Sequence, residues 1–216
     1  MPTDVKICGL STAETVTAAL DAGADLIGFN FYPKSPRYVP PPKAGELARL
    51  ARGRADIVAL VVDGEDSLID EITRVVDPDF FQVQGSETPE RVAEIGKRSG
   101  KPVIKVIKVR TADDVAQTRA YDGIAARILY DAKAPDTLKG ALPGGNGIAF
   151  DWTLLTGGNA APGFLLAGGL NPGNVAEAIR LTGAPIVDVS SGVEISPGIK
   201  DITLIRDFIA AAKGAR

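Results

Sequence analysis

The sequence predicts a single-domain (β/α)8 TIM barrel over residues 1–216, and three observations carry that reading. Short runs rich in Val, Ile and Phe recur eight times, with the length and β-branched content of parallel strands buried on both faces rather than the alternation of half-exposed ones. The segments between them carry helical periodicity and end signals, with no long polar linker to divide the chain. The length is the third. A closed barrel of this kind needs roughly 200 residues, and 216 lies just above that, whereas an open flavodoxin-like sheet needs only about five strands.

Taken in order, the first run is Val5–Cys8, followed by a helical stretch over Thr12–Ala22. Val16, Ala19 and Leu20 share one face there, Ser11 or Thr12 caps it, Glu14 lies in its first turn and Gly23 just past its end. The second run, Leu26–Phe31, leads into Tyr32–Pro42, whose five prolines at 33, 36, 40, 41 and 42 predict an extended connection. Ile57–Val62 and Phe80–Val83 are the third and fourth runs. After the fourth, Thr88 reads as a cap with Pro89 at the first helical position. Val103–Ile107 and Ile128–Tyr130 follow, and then the long stretch Ala132–Ala149 with Gly140, Gly144, Gly145 and Gly147. Helical character is weakest at Asp151–Leu155. Phe164–Ala167 is the seventh run, after which Asn171-Pro172 repeats the cap device before Val175, Ala178 and Ile179. Ile186–Val189 is the eighth, and Asp201–Lys213 closes the chain with Leu204, Ile205, Phe208 and Ile209 on one face.

Composition excludes several function classes. Net charge is −3 with a hydrophobic fraction of 45 %, so no basic surface for nucleic acid is expected. The single cysteine rules out a disulfide scaffold, and the absence of histidine rules out Ser-His-Asp triads and His-ligated metals. Any acid–base chemistry must use carboxylates, Lys, Tyr or the lone thiol. The first residues lack a signal-peptide pattern, and the longest apolar run, Ile57–Val62, is far too short to span a bilayer, so a cytoplasmic location with no membrane partner is expected.

Polar residues at the C-terminal ends of barrel strands are catalytic candidates. Cys8 ends the first strand, Asp131 the sixth, and Arg37 lies in the loop after the second. Each also has a plain reading: an inert core thiol, a loop-starting aspartate. Asp188 stands between Val187 and Val189, where a carboxylate needs a partner or a ligand. Gly168 and Gly169 follow the seventh strand, and Ser190, Ser191 and Gly192 follow the eighth. Those two loops form the phosphate site of phosphate-binding barrels, because glycine lets backbone N–H groups approach an anion.

The ordered set Lys6-Ile7-Cys8-Gly9, Ser35-Pro36-Arg37, Gln82-Val83-Gln84-Gly85, Leu129-Tyr130-Asp131, Gly144-Gly145-Asn146-Gly147, Ala167-Gly168-Gly169-Leu170-Asn171 and Asp188-Val189-Ser190-Ser191-Gly192-Val193-Glu194 resembles the phosphoribosylanthranilate isomerases of tryptophan biosynthesis over nearly the whole chain. The resemblance implies an Amadori rearrangement of N-(5′-phosphoribosyl)anthranilate, without cofactor or metal. It implies Cys8 as general base and Asp131 as general acid; because a free thiol is only slightly ionised near neutrality, backbone donors or Lys6 would be needed to favour the thiolate. Arg37 would hold the anthranilate carboxylate, Asp188 the sugar hydroxyls, and Gly168, Gly169, Ser190, Ser191 and Gly192 the phosphate. Members usually carry histidine where Gln84 stands, and often a polar pair where Ile148-Ala149 stands. A related phosphoribosyl isomerase barrel and a non-catalytic phosphosugar-binding barrel are the competing readings. The partner implied is a small phosphosugar-anthranilate, and the chain is expected as a monomer or a homodimer.

Overall fold

In a computed structural model, which describes residues 3–135, 143–145 and 147–215, eight parallel strands close on themselves in chain order. They are β1 (Asp4–Cys8), β2 (Leu26–Asn30), β3 (Asp56–Val61), β4 (Phe80–Val83), β5 (Val103–Val109), β6 (Arg127–Ala132), β7 (Leu165–Leu166) and β8 (Ile186–Val189). β1 pairs with β8 and closes the barrel, with Lys6 opposite Asp188 and Ile7 opposite Val189. Each predicted run lies in one strand to within a few residues. β7 is the shortest, two residues against the four expected.

Helices α1 (Ala13–Asp21), α2 (Pro41–Ala51), α3 (Asp66–Val75), α4 (Pro89–Ser99), α5 (Ala112–Ala116), α6 (Val175–Thr182) and α7 (Ile202–Lys213) surround the barrel. Thr12 is the cap of α1, its side chain accepting from the Thr15 N–H, and Thr88 caps α4 through the Arg91 N–H. Asp201 does the same for α7 through the Leu204 N–H. These are the side-chain oxygens that satisfy otherwise orphaned first-turn donors.

Two expectations need correction. Pro41 and Pro42 do not prolong the extended connection after β2; they open α2, where the missing N–H groups are unneeded in a first turn. Asn171 is not the cap of α6, which starts at Val175 behind Asn174. The Asn171 side chain instead accepts from the Gly173 N–H, and Asn174 accepts from the Asn171 N–H, building a turn ahead of the helix. The weak segment after β6 folds as a single 3-10 turn, Trp152–Leu155. A hairpin that the sequence reading did not anticipate, β9 (Glu194–Ser196) with β10 (Ile199–Lys200), lies between β8 and α7. Gly140 and Asn146 lie outside the described residues.

Alternation along the strands separates two apolar layers. Val5, Ile7, Ile27, Phe29, Ala59, Phe81, Ile107, Tyr130 and Val187 belong to the large core shared with the helices. Leu26, Val58, Ile104, Val106, Leu129, Leu165, Ala167 and Ile186 form a second cluster with Phe80 packed against it, and by the pleat they face the barrel interior. Two residues further along the same inward rows the chemistry changes: Gly28 and Asn30 on β2, Gln82 and Gln84 on or just beyond β4, Lys108 on β5, Asp131 on β6 and Asp188 on β8. The interior is apolar at its N-terminal end and polar at its C-terminal end.

Candidate active site

The polar end of the barrel opens into a cavity. Cys8, Arg37, Asp131, Gly168, Gly169, Asp188, Ser190 and Ser191 all line it, so eight of the nine residues singled out from sequence converge there. Gly192 does not. A Cβ at that position would run into the Leu170 carbonyl oxygen, so Gly192 serves the packing of the seventh loop against the eighth rather than the cavity wall.

Cys8 is buried at the end of β1, and Gly28 on the neighbouring strand leaves the room it occupies: a Cβ there would lie 3.1 Å from Sγ and 3.2 Å from Lys6 Nζ. Lys6 is fully buried and donates to Asp188 Oδ1 at 2.8 Å. This answers why a carboxylate sits in an apolar strand: its counter-charge is one strand away across the closing seam. Burial works against the Lys6 ammonium, but the pull of Asp188 and of the neighbouring thiol outweighs it and raises the lysine above its ordinary value. Burial pushes the Cys8 thiol up; Lys6 and Lys200 oppose this, Asp188 reinforces it, and the balance stays above the ordinary thiol value. Lys6 is where the thiolate argument requires a cation, yet its stronger commitment is to Asp188.

Asp131 is the penultimate residue of β6, with Oδ1 accepting from the Ala132 N–H at 2.9 Å and Oδ2 from Lys108 Nζ at 2.6 Å. Lys108 was not among the sequence candidates. It sits in register opposite Asp131 on β5, which a strand alignment alone could have revealed. Gln84 also lines the cavity. It donates to the Pro143 carbonyl and accepts from Gln82, whose own Oε1 is buried without a partner.

Arg37 is nearly buried and is held on its Nε–Nη2 edge: both atoms donate to Glu194 at 2.8 Å, and Nη2 also reaches the Gly145 carbonyl at 3.3 Å. A bidentate grip on a ligand through that edge is therefore taken, and among the described residues Nη1 is the guanidinium nitrogen without a hydrogen-bond acceptor. Glu194 was quoted in a motif without a role. Its charge is shared with Lys200, which donates to Glu194 Oε1, to the Ser190 carbonyl and to Ser190 Oγ.

Gly168 (φ +86°) and Gly169 (φ +66°) take left-handed conformations in succession. A Cβ on Gly168 would stand 2.7 Å from the Ala132 amide nitrogen, and one on Gly169 2.6 Å from that of Ala149. Glycine is required at both positions, for conformation and for closeness alike. Ser190 and Ser191 line the same cavity as Gly168 and Gly169, and glycine at both positions lets the backbone of the seventh loop approach a ligand closely.

Among the described residues no group of three or more His, Cys, Asp or Glu side chains could hold a metal ion, and no helix is long and apolar enough to cross a membrane. Residues 5–211 match the family model described as N-(5′-phosphoribosyl)anthranilate (PRA) isomerase. N-(5′-phosphoribosyl)anthranilate isomerase of Mesorhizobium japonicum is 50 % identical, covering 100 % of this chain and 98 % of that protein. The corresponding protein of Rhizobium meliloti is 52 % identical over 100 % of this chain and 99 % of its own length. The crystal structure of phosphoribosyl anthranilate isomerase from Thermotoga maritima superimposes with a TM-score of 0.87 at 35 % identity, covering 98 % of this chain and 99 % of that one. A complex of such an enzyme with reduced 1-(o-carboxyphenylamino)-1-deoxyribulose 5-phosphate has a TM-score of 0.84 at 34 % identity, covering the same shares. With a match of this length and a barrel whose polar end gathers the same motifs, the chain belongs to the phosphoribosylanthranilate isomerase family.

Proposed function

We propose that this chain isomerises N-(5′-phosphoribosyl)anthranilate to 1-(2-carboxyphenylamino)-1-deoxyribulose 5-phosphate, a step of tryptophan biosynthesis, with Cys8 as base and Asp131 as acid. The observation that carries the reading is the convergence of a lone thiol, a strand-end carboxylate, a cavity-facing guanidinium and two glycine–serine loops on one cavity. The substrate has a matching set of parts: a carboxylate at one end, a phosphate at the other, and a ribose ring between them.

Asp131 acts as the general acid and gives a proton to the ribose ring oxygen. The ring C–O bond breaks, and the anilino nitrogen lone pair becomes the second bond of an iminium. Cys8 as thiolate removes the proton from C2′, and the C–H electron pair forms the enolamine, which tautomerises to the ketone. No redox partner is needed, because C1′ is reduced as C2′ is oxidised. Phosphate lies against Gly168, Gly169, Ser190 and Ser191, the anthranilate carboxylate against Arg37 Nη1, and the sugar hydroxyls against Asp188. The Lys6 and Lys108 contacts keep the two carboxylates and the thiol in fixed positions before substrate arrives.

The test is loss of substrate fluorescence with wild type, Cys8→Ala and Asp131→Asn. General acid–base groups contribute roughly 10²–10⁴-fold each, so both variants should lose at least a hundredfold in kcat. Near wild-type turnover in either would remove that residue from the mechanism.

A further inference from the structure

We infer that Lys200 and Glu194, neither of which lines the cavity, form a buried relay that positions the carboxylate-binding arginine and ties it to the phosphate loop. It rests on the reading of Arg37 given above. Glu194 Oε1 accepts from Arg37 Nε and from Lys200 Nζ, both at 2.8 Å, and Oε2 accepts from Arg37 Nη2 at 2.8 Å and from the Gly198 N–H at 3.2 Å. The side chains of Arg37, Glu194 and Lys200 are 5 %, 3 % and 1 % exposed, so these contacts are made out of water. Lys200 places its remaining donors on Ser190, at 2.8 Å to the carbonyl and 3.2 Å to Oγ, and Ser190 lines the cavity. One ammonium thus touches both the residue that orients the guanidinium and the residue that begins the phosphate loop.

The charges give the arrangement its direction. Two cations surround one carboxylate, leaving a net positive charge beside the cavity, which suits a ligand anionic at both ends. Burial would raise Glu194, but Arg37 and Lys200 outweigh it and hold the carboxyl below its usual range. Burial lowers Lys200 against the pull of Glu194. The carboxylate therefore stays ionised and keeps its grip on the Nε–Nη2 edge, which leaves Nη1 as the nitrogen not held by Glu194. Because the same lysine also holds Ser190, a shift at one end of the substrate is felt at the other. Lys200 and Glu194 are positioning residues.

The experiment measures binding of three ligands by calorimetry: the reduced product analogue, its phenylamino counterpart without the carboxylate, and ribose 5-phosphate. Lys200→Met should weaken ribose 5-phosphate and shrink the affinity advantage of the carboxylated ligand, each by about tenfold, within the usual range for coupled sites. Glu194→Gln should shrink only the carboxylate advantage, and Lys200→Arg should recover part of both losses. Lys200→Met binding ribose 5-phosphate as tightly as wild type overturns the relay, and so does Glu194→Gln keeping the full carboxylate advantage. Wild type itself supplies a measurement independent of any variant's folding. Saturating ribose 5-phosphate should change the affinity for free anthranilate at least twofold, and no change overturns the coupling. Arg37→Ala separates the two ideas: if it leaves the carboxylate advantage intact, the assignment of Arg37 is what fails.

Discussion

Replacing Lys6 with methionine removes a cation that has two duties, and the two are separable by experiment. The first duty is to Asp188, bonded at 2.8 Å with the lysine fully buried and the aspartate side chain 9 % exposed. Taking away one partner of a buried pair leaves an uncompensated charge and costs about 3–5 kcal/mol. That is a large part of the 5–15 kcal/mol that holds a typical domain together. With a urea dependence of about 2 kcal/mol per molar, the unfolding midpoint should fall by about 2 M. Adding Asp188→Asn removes the stranded charge, so the double variant should be more stable than Lys6→Met alone. The second duty is to the Cys8 thiol, already above its ordinary value because burial outweighs the lysine beside it. Losing that lysine removes a charge that favours the thiolate, so the thiol rises further and the thiolate fraction near neutrality falls. A base acts deprotonated, so kcat/KM rises with pH through the thiol pKa, and in the variant that rising limb moves to higher pH. The assays are urea unfolding and a pH series of kcat/KM from substrate fluorescence. A variant within 1 kcal/mol of wild type, or one whose rising limb stays in place, would refute the corresponding half of the reasoning.

Other substitutions follow the same geometry. Gly168→Ala puts a Cβ 2.7 Å from the Ala132 backbone nitrogen in a left-handed residue, which costs about 2 kcal/mol or more, and KM should rise as the loop shifts; an unchanged melting temperature would count against it. Gln84→Ala frees the Pro143 carbonyl from its side-chain donor, a bond worth about 0.5–1.5 kcal/mol, so KM should rise about two- to tenfold with kcat nearly kept. Glu194 lies below its ordinary range when folded, so its contribution is complete above an unfolded value near ~4.3 and is lost as pH falls through the folded one. Unfolding curves between pH 3 and 6 should therefore be steeper in pH for wild type than for Glu194→Gln. Lys108→Met breaks a partly exposed ion pair, so stability should change by about 1 kcal/mol or less while kcat falls, because Asp131 loses the contact that fixes Oδ2; equal kcat would make Lys108 a bystander.

The eight strands were legible because each is largely buried and so is written as a short run rich in Val, Ile, Leu and Phe, broken in several strands by polar or charged residues. The helices with a local signal, α1, α4 and α7, were legible at their first residues because Thr12, Thr88 and Asp201 satisfy N–H groups three residues on. The three prolines at 40–42 misled because proline is at home both in extended chain and in a helix's first turn, and which one wins depends on what α2 packs against. The β9–β10 hairpin was missed because it is five strand residues in all, three of them polar or charged, with a register shift between Ile199 and Lys200. At the site, strand position alone pointed to Cys8 and Asp131, since side chains at strand ends need no partner to be informative. Lys108, Glu194 and Lys200 did not announce themselves. Their importance lies in whom they touch, and Arg37 and Glu194 are 157 residues apart in sequence.

The pairing of β1 with β8 has a consequence for synthesis and refolding. Lys6 emerges near the beginning of the chain, while Asp188, Glu194 and Lys200 emerge near its end. Until the last strand docks, the thiol has neither its final burial nor its full set of charged neighbours, and the guanidinium of Arg37 lacks its holder. A truncated or half-assembled barrel can carry every residue of the first six units and still be chemically idle. The return of activity during refolding is therefore a clock for the joining of the two ends.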